Sequence, residues 1–110
     1  MHEMEGLEHL VEEFKTLGDK TRLRILGLLR KRELCVCDLQ EVLAISQPGV
    51  SQHMRRLRLN GLVKERREGQ WTYYSLNEEN PLLEMILPMI PTIEEDEKRL
   101  NHAPGCKTQK

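Results

Sequence analysis

Apolar residues recur at helical spacing from the start of the chain. Leu7, Leu10, Val11, Phe14 and Leu17 are interspersed with Glu8, Glu12, Glu13 and Lys15, which predicts an amphipathic helix whose apolar stripe faces a core or a dimer partner. Gly18 ends this helix and Asp19 is placed to cap a second. In that segment Leu23, Ile25, Leu26, Leu28 and Leu29 are broken only by small or basic residues, so it reads as the central core helix. Lys31-Arg32-Glu33 is a polar break, and 34–36 looks briefly extended before a third helix begins around Cys37 or Asp38, with Leu39, Val42 and Leu43 on its buried face. Asp38 and Gln40 stand where a helix start favours such groups.

Ser46 then reads as an N-cap, with Pro48 in the first turn, where its missing N–H costs little. Val50, Met54 and Leu57 fall at i, i+4 and i+7 and face inward. The outer stripe is Gln47, Ser51 and Arg55, with Gln52 and Arg56 beside it. Asn60-Gly61 closes that helix. Residues 62–67 and 71–76 flank Glu68-Gly69-Gln70 as a hairpin, in which Trp71, Tyr73 and Ser75 alternate with Thr72, Tyr74 and Leu76. Asn80-Pro81 starts another helix, carrying Leu82, Leu83, Met85, Ile86 and Met89. Pro88 and Pro91 must kink or break it. Thr92 to Glu95 has the form of a capping box ahead of a last helix from Ile93 to about Leu100. The expectation is one domain over residues 1–101, with dimerisation helices at both ends, and a flexible tail over 102–110.

Length and charge refine this picture. A chain of 110 residues with 38% hydrophobic content is one small domain with a modest core, which a dimer would help. The net charge of −1 conceals an uneven distribution. Residues 1–15 carry five acidic groups and one basic, whereas 46–76 carry six basic and two acidic, so the basic surplus falls on the fourth helix and the hairpin. No basic-then-apolar leader and no apolar run near the ~18 residues of a membrane span occurs, so the expected location is cytoplasmic, with no membrane partner. Three cysteines, two of them separated by one residue, do not make a disulfide framework; in a reducing compartment they read as free thiols or soft-metal ligands.

Two helices joined by a tight turn and followed by a two-stranded hairpin make a mainly α fold with a small β-hairpin: a winged helix-turn-helix, expected to be dimeric. Gln47, Ser51, Gln52 and Arg55 offer heads suited to base edges or phosphates. Pro48, Arg56 and His53 lie in the same helix, the histidine as packing or DNA contact. Arg66 and Arg67 before the turn and Gln70 after it would bring positive charge to the hairpin tip. Any one of these alone reads as an ordinary solvated face; their order along the chain points to DNA.

Residues 16–76 resemble the ArsR/SmtB family of small metal-responsive repressors. The resemblance is carried by Gly18-Asp19-Lys20-Thr21-Arg22-Leu23-Arg24-Ile25-Leu26, by Glu33-Leu34-Cys35-Val36-Cys37-Asp38-Leu39, by Ser46-Gln47-Pro48 to His53, and by Gly61-Leu62-Val63 to Tyr74. It implies a homodimer, paired through its first and last helices, that binds a pseudo-palindromic operator when metal-free and releases it on metal binding.

Residues i and i+2 share a face in an extended stretch and not on a helix. Cys35 and Cys37 therefore converge on one ion if the segment is extended, and binding must unwind the first turn if it is helical. A thiol at a helix N-terminus is also biased toward thiolate. Two thiolates fall short of the four ligands of a structural zinc site. The segment around Cys35 and Cys37 resembles the arsenite and antimonite site of ArsR repressors, which implies As(III) or Sb(III) as effector and no organic cofactor. Those repressors often carry a third cysteine one turn on, where this chain has Gln40; Cys106, from either subunit, or an external thiol or hydroxide would complete the set. Cadmium and lead sensors of similar sequence add cysteines from an N-terminal arm, and none precedes Cys35 here. The family's other site, on the last helix, finds only His102. A cadmium- or lead-responsive repressor and a thiol redox switch are the alternatives. A thiol enzyme would need a Cys-x-x-Cys or a nearby histidine, and the sequence offers neither, so the chain is not expected to be an enzyme.

Overall fold

The computed structural model describes residues 2–103. Its elements, in order, are α1 (His2–Leu17), α2 (Lys20–Leu29), β1 (Leu34–Cys35), α3 (Val36–Leu43), α4 (Gln47–Leu59), β2 (Val63–Glu68), β3 (Trp71–Leu76), α5 (Pro81–Ile86), a 3-10 turn over Leu87–Met89, and α6 (Glu94–His102). The helix starts follow the capping chemistry in the sequence. Asp19 accepts from the Arg22 amide at 3.0 Å, Ser46 from the Gly49 amide at 3.2 Å, and Asn80 from the Leu82 and Leu83 amides at 2.9 and 3.0 Å. Each satisfies donors that a first helical turn leaves open.

The core lies between α2, α3, α4 and the sheet. Ile25, Leu26, Leu34, Leu39, Val42, Val50, Met54, Leu57 and Leu62 are fully buried, so the apolar stripes of α2, α3 and α4 meet as the periodicity predicts. Ala44 turns the chain between α3 and α4 in the left-handed region, at φ 56°. The hairpin loop begins at Gly69, whose φ of +62° suits a two-residue connection and favours glycine.

Three sequence expectations are corrected, and one is met. The hairpin is joined by β1, giving a three-stranded antiparallel sheet in the order β1-β3-β2; two residues are too few to announce a strand by alternation. Helix α3 starts at Val36, one position before Cys37, with Cys35 as its N-cap in extended geometry. The C-terminal segment is split into α5, the 3-10 turn and α6, the break expected from Pro88 and Pro91, each of which removes a donor. Finally, Thr92 does not form a capping box. The N-cap of α6 is Ile93, without a side-chain bond, and the helix is held instead by tertiary contacts. Arg24 donates to Asp96 through Nε and Nη2, at 2.9 and 2.7 Å, and Arg99 donates to the Val42 carbonyl at 3.1 Å.

Helix α1 turns its polar side inward. Glu13, Thr16 and Leu17 are buried, with Glu13 accepting from Asn80 Nδ2 at 3.0 Å, while Leu7, Leu10, Val11 and Phe14 are 39–55% exposed. Apart from Leu17, its apolar stripe is therefore not part of this chain's own core. No helix among the described residues is long and apolar enough to cross a membrane.

Candidate functional site

Helix α4 presents Gln47, Pro48, Ser51, Gln52, Arg55 and Arg56 as exposed residues, with Val50, Met54 and Leu57 beneath them. The helical period alone separates these two faces. The arrangement has the form of a recognition helix, with its N-terminal end carrying the polar heads.

Two of the expected contact residues also brace the scaffold. His53 is half-buried, and its Nδ1 lies 3.2 Å from Arg22 Nη1. Arg22 is in turn held by the Thr16 carbonyl at 2.6 Å and by the Asp19 carboxylate at 3.9 Å. Arg56 donates through Nε to Thr16 Oγ1 at 3.3 Å and lies 3.8 Å from Glu12. The end of α1 and the start of α2 thus set how α4 sits. The sequence reading missed this role of Thr16 and Arg22, for which periodicity carries no signal.

The wing divides the other basic residues. Arg67 is 75% exposed, with a long 3.7 Å contact to Glu65, and Gln70 is exposed at the loop. Arg66 differs. Its Nε and Nη2 form a two-pronged bond with Glu33 at 3.1 and 2.7 Å, its Nη1 donates to Glu68 at 2.9 Å, and its guanidinium lies 4.6 Å above the Tyr73 ring. The two carboxylates hold the guanidinium still more firmly in its charged form. Arg66 and Arg67, neighbours on β2, point to opposite sides of the strand, so one is committed within the chain and the other faces solvent. On the far side Tyr74 donates to Glu65 at 3.2 Å, and burial, with the nearby Glu65, pushes its hydroxyl pKa up.

The two close cysteines straddle the boundary of β1 and α3. Cys35 is 1% exposed and pairs in register with Tyr73 of β3; it is disulfide-bonded, which corrects the expectation of a free thiol at this position. Cys37 is a half-buried free thiol, in the first turn of α3. Burial, and then the Asp38 carboxylate, push its pKa above the usual thiol value. The expectation of a thiolate-biased helix start therefore fails, since these two effects outweigh the lowering by the backbone amide. Cys37 opens onto a cleft of about 450 Å³ with Gln40, Glu41, Ala44 and Ile45. Glu41 and Ala44 also line a cleft of about 300 Å³ with Arg99 and His102, so the end of α6 stands on the same side of α3 as Cys37. Cys106 lies outside the described residues, as does most of the expected tail; of that tail His102 is the last residue of α6. Among the described residues no group of three or more His, Cys, Asp or Glu side chains is placed to hold a metal ion. The fit to a soft centre is thus partial: two sulfurs at one boundary, one facing the core and one a cleft.

The geometry agrees with the comparisons to known proteins. The sequence pattern described as "Bacterial regulatory protein, arsR family" matches residues 19–65. The arsenic resistance transcriptional regulator ArsR2 of Pseudomonas putida is 51% identical over 69 residues, covering 62% of this chain and 60% of that protein. A homologue of the cadmium resistance regulatory protein CadC, from Staphylococcus aureus, is 43% identical over 68 residues, covering 61% of this chain and 56% of its own length. The match thus spans little more than half the length of these curated relatives. Among solved structures, the homodimeric winged helix-turn-helix DNA-binding domain Mb0332 of Mycobacterium bovis, described as a possible ArsR-family regulator, superposes with a TM-score of 0.71 at 25% identity, covering 80% of each chain.

Proposed function

Because this chain belongs to the ArsR family of bacterial regulatory proteins, we propose that it is a transcriptional repressor responsive to arsenite and antimonite. In this reading it binds operator DNA as a homodimer and is released when, with Cys35 reduced, the metalloid joins the Cys35 and Cys37 sulfurs. The observation that carries the reading is the position of the two cysteines: Cys35 belongs to a strand paired with the wing, and Cys37 to the helix packed against α4. Cys35 is extended and Cys37 helical, so bringing both sulfurs to one centre must unwind the first turn of α3 or lift β1 from the sheet. Either movement reaches an element that faces DNA.

The chemistry of the thiols favours a neutral metalloid. A divalent ion must displace a proton from each thiol, and the raised pKa of Cys37 opposes that at this position. Arsenous acid instead condenses: each As–OH bond is exchanged for an As–S bond, the thiol proton leaves with the hydroxide as water, and arsenic stays trivalent. Cys106 is proposed as the third sulfur. It follows Ala103 by three positions, a span of at most about 10 Å, and α6 ends on the Cys37 side of α3.

For DNA, Gln47, Pro48, Ser51, Gln52 and Arg55 on α4 and Arg67 and Gln70 on the wing are proposed as contacts. A homodimer is supported by the exposed apolar stripe of α1, which continues into an apolar groove of about 430 Å³ lined by Phe14, Leu17, Leu23, Ile86 and Met89 among others. Met89, in the lining of this groove, is itself an exposed apolar residue, and a patch of this kind marks an interaction surface.

The test is fluorescence anisotropy on a labelled operator, with reductant present so that both thiols are available, titrated in parallel with arsenite, antimonite, cadmium, lead and zinc. Release at the lowest concentrations by arsenite and antimonite is the expected result. Release by cadmium or lead in their place would keep a thiol-sensing repressor and overturn the metalloid assignment; silence to all five would overturn the effector reading altogether.

A further inference from the structure

Cys35, Tyr73 and Arg66 form one row across the three strands. Cys35 is the register partner of Tyr73 across β1 and β3, and Tyr73 is the register partner of Arg66 across β3 and β2. Directly opposed residues of antiparallel strands project to the same side of a sheet, and here the Arg66 guanidinium lies 4.6 Å above the Tyr73 ring. Glu33, two positions before Cys35, closes the row from its other end by gripping Arg66 at 2.7 and 3.1 Å.

From this juxtaposition we propose that the Glu33–Arg66 bridge is a latch that couples the thiol segment to the wing, and that Arg66 is a positioning residue and not a phosphate contact. The inference rests on the reading of Cys35 and Cys37 as the effector thiols. A two-residue strand contributes few ladder bonds, so β1 by itself is a weak link to the hairpin. The two-pronged bond adds directional stiffness: a planar guanidinium fixed by two parallel bonds transmits both translation and tilt, which a single point charge does not. Glu68 grips the same guanidinium from within β2, so Arg66 is fixed to its own strand and moves with it. When Cys35 is drawn toward Cys37, Glu33 is drawn with it, and the hairpin carrying Arg67 and Gln70 turns on the sheet. Without the latch the thiol segment moves and the wing stays.

Residue types alone assign Arg66 to DNA, since an arginine beside a hairpin tip is an ordinary phosphate ligand. Two carboxylates on one guanidinium argue against that. A phosphate contact would have to displace them or add a third anion to the cluster.

The experiment compares wild type with Glu33→Gln and Arg66→Lys under reducing conditions. Three quantities are read: arsenite binding to the free protein, operator affinity without arsenite, and operator affinity at saturating arsenite. The ratio of the last two is the coupling. Trp71, the chain's one tryptophan and the register partner of Glu68, reports on the wing through its emission. Both substituted side chains are well exposed, at 37% and 49%, so neither change threatens the core. Glu33→Gln is expected to leave arsenite binding and basal operator affinity near wild type, to reduce the coupling at least about fivefold, and to shrink the arsenite-induced change in Trp71 emission. Arg66→Lys keeps the charge and loses the fork, so it is expected to reproduce the loss of coupling with the salt dependence of operator binding unchanged.

Wild-type coupling in both variants would overturn the latch while leaving the thiol reading intact. Basal operator binding that weakens in Arg66→Lys, with coupling preserved, would return Arg66 to the DNA interface and also overturn it. A wild-type protein that binds no arsenite, or binds it without operator release, would remove the thiol reading itself and the latch with it.

Discussion

His53 of the recognition helix and Arg22 of α2 meet at 3.2 Å, between the imidazole Nδ1 and the guanidinium Nη1. A guanidinium only donates, so Nδ1 accepts, and the imidazole carries its proton on Nε2 in this arrangement. The contact makes His53 a spacer between the scaffold and α4. His53→Ala is therefore expected to lower operator affinity about fivefold, the equivalent of losing one hydrogen bond of ~1 kcal/mol, with the salt dependence of binding unchanged. A shallower salt slope would make His53 a direct contact instead.

Arg55 and Arg67 carry the opposite expectation. Arg55 stands exposed on α4, and Arg67 is 75% exposed on the wing. Alanine at either position is expected to weaken binding to every sequence alike and to reduce the slope of log affinity against log salt by about 0.9 for each phosphate that is no longer neutralised. Parallel salt titrations of the two variants check this, and unchanged slopes would take both residues out of the interface.

The Cys37 thiol supplies a pH prediction. Burial and Asp38 raise its pKa in the folded chain, so folding favours the protonated thiol. That contribution to stability is fully present below the unfolded thiol pKa and is lost as pH rises through the folded value. Alkylation of Cys37 by iodoacetamide, followed by mass spectrometry of its peptide, should accordingly run slower at neutral pH than in the unfolded chain and rise later with pH. Asp38→Asn should shift the profile to lower pH. A Cys37 more reactive than the unfolded thiol would contradict the assigned causes.

The exposed stripe of α1 bears on assembly. Phe14 is 54% and Leu7 55% exposed, so Phe14→Glu or Leu7→Glu should leave the fold of one chain unchanged by circular dichroism. Each places a charge in the proposed interface, where an unpaired buried charge is costly. Light scattering on a sizing column is expected to show monomer at concentrations where wild type is dimeric, and operator affinity should fall with it. Variants that remain dimeric would place the interface elsewhere.

The sequence by itself determined the helices, the side-chain caps of three of them and much of the core. These depend on local period and on capping chemistry, as Asp19, Ser46 and Asn80 show, and a side chain three or four positions away is a neighbour in any helix. It also determined which face of α4 is polar, and that Cys35 and Cys37 stand at the start of the helix pair. Tertiary structure alone decided which of those polar residues are already engaged. His53 and Arg56 are held by α1 and α2, and Arg66 by Glu33, 33 positions away, because pairing β1 with β3 brings together segments that no periodicity relates. The same long-range pairing turned a hairpin into a three-stranded sheet. It joined the thiol segment to the wing, where the sequence showed only two cysteines beside a helix.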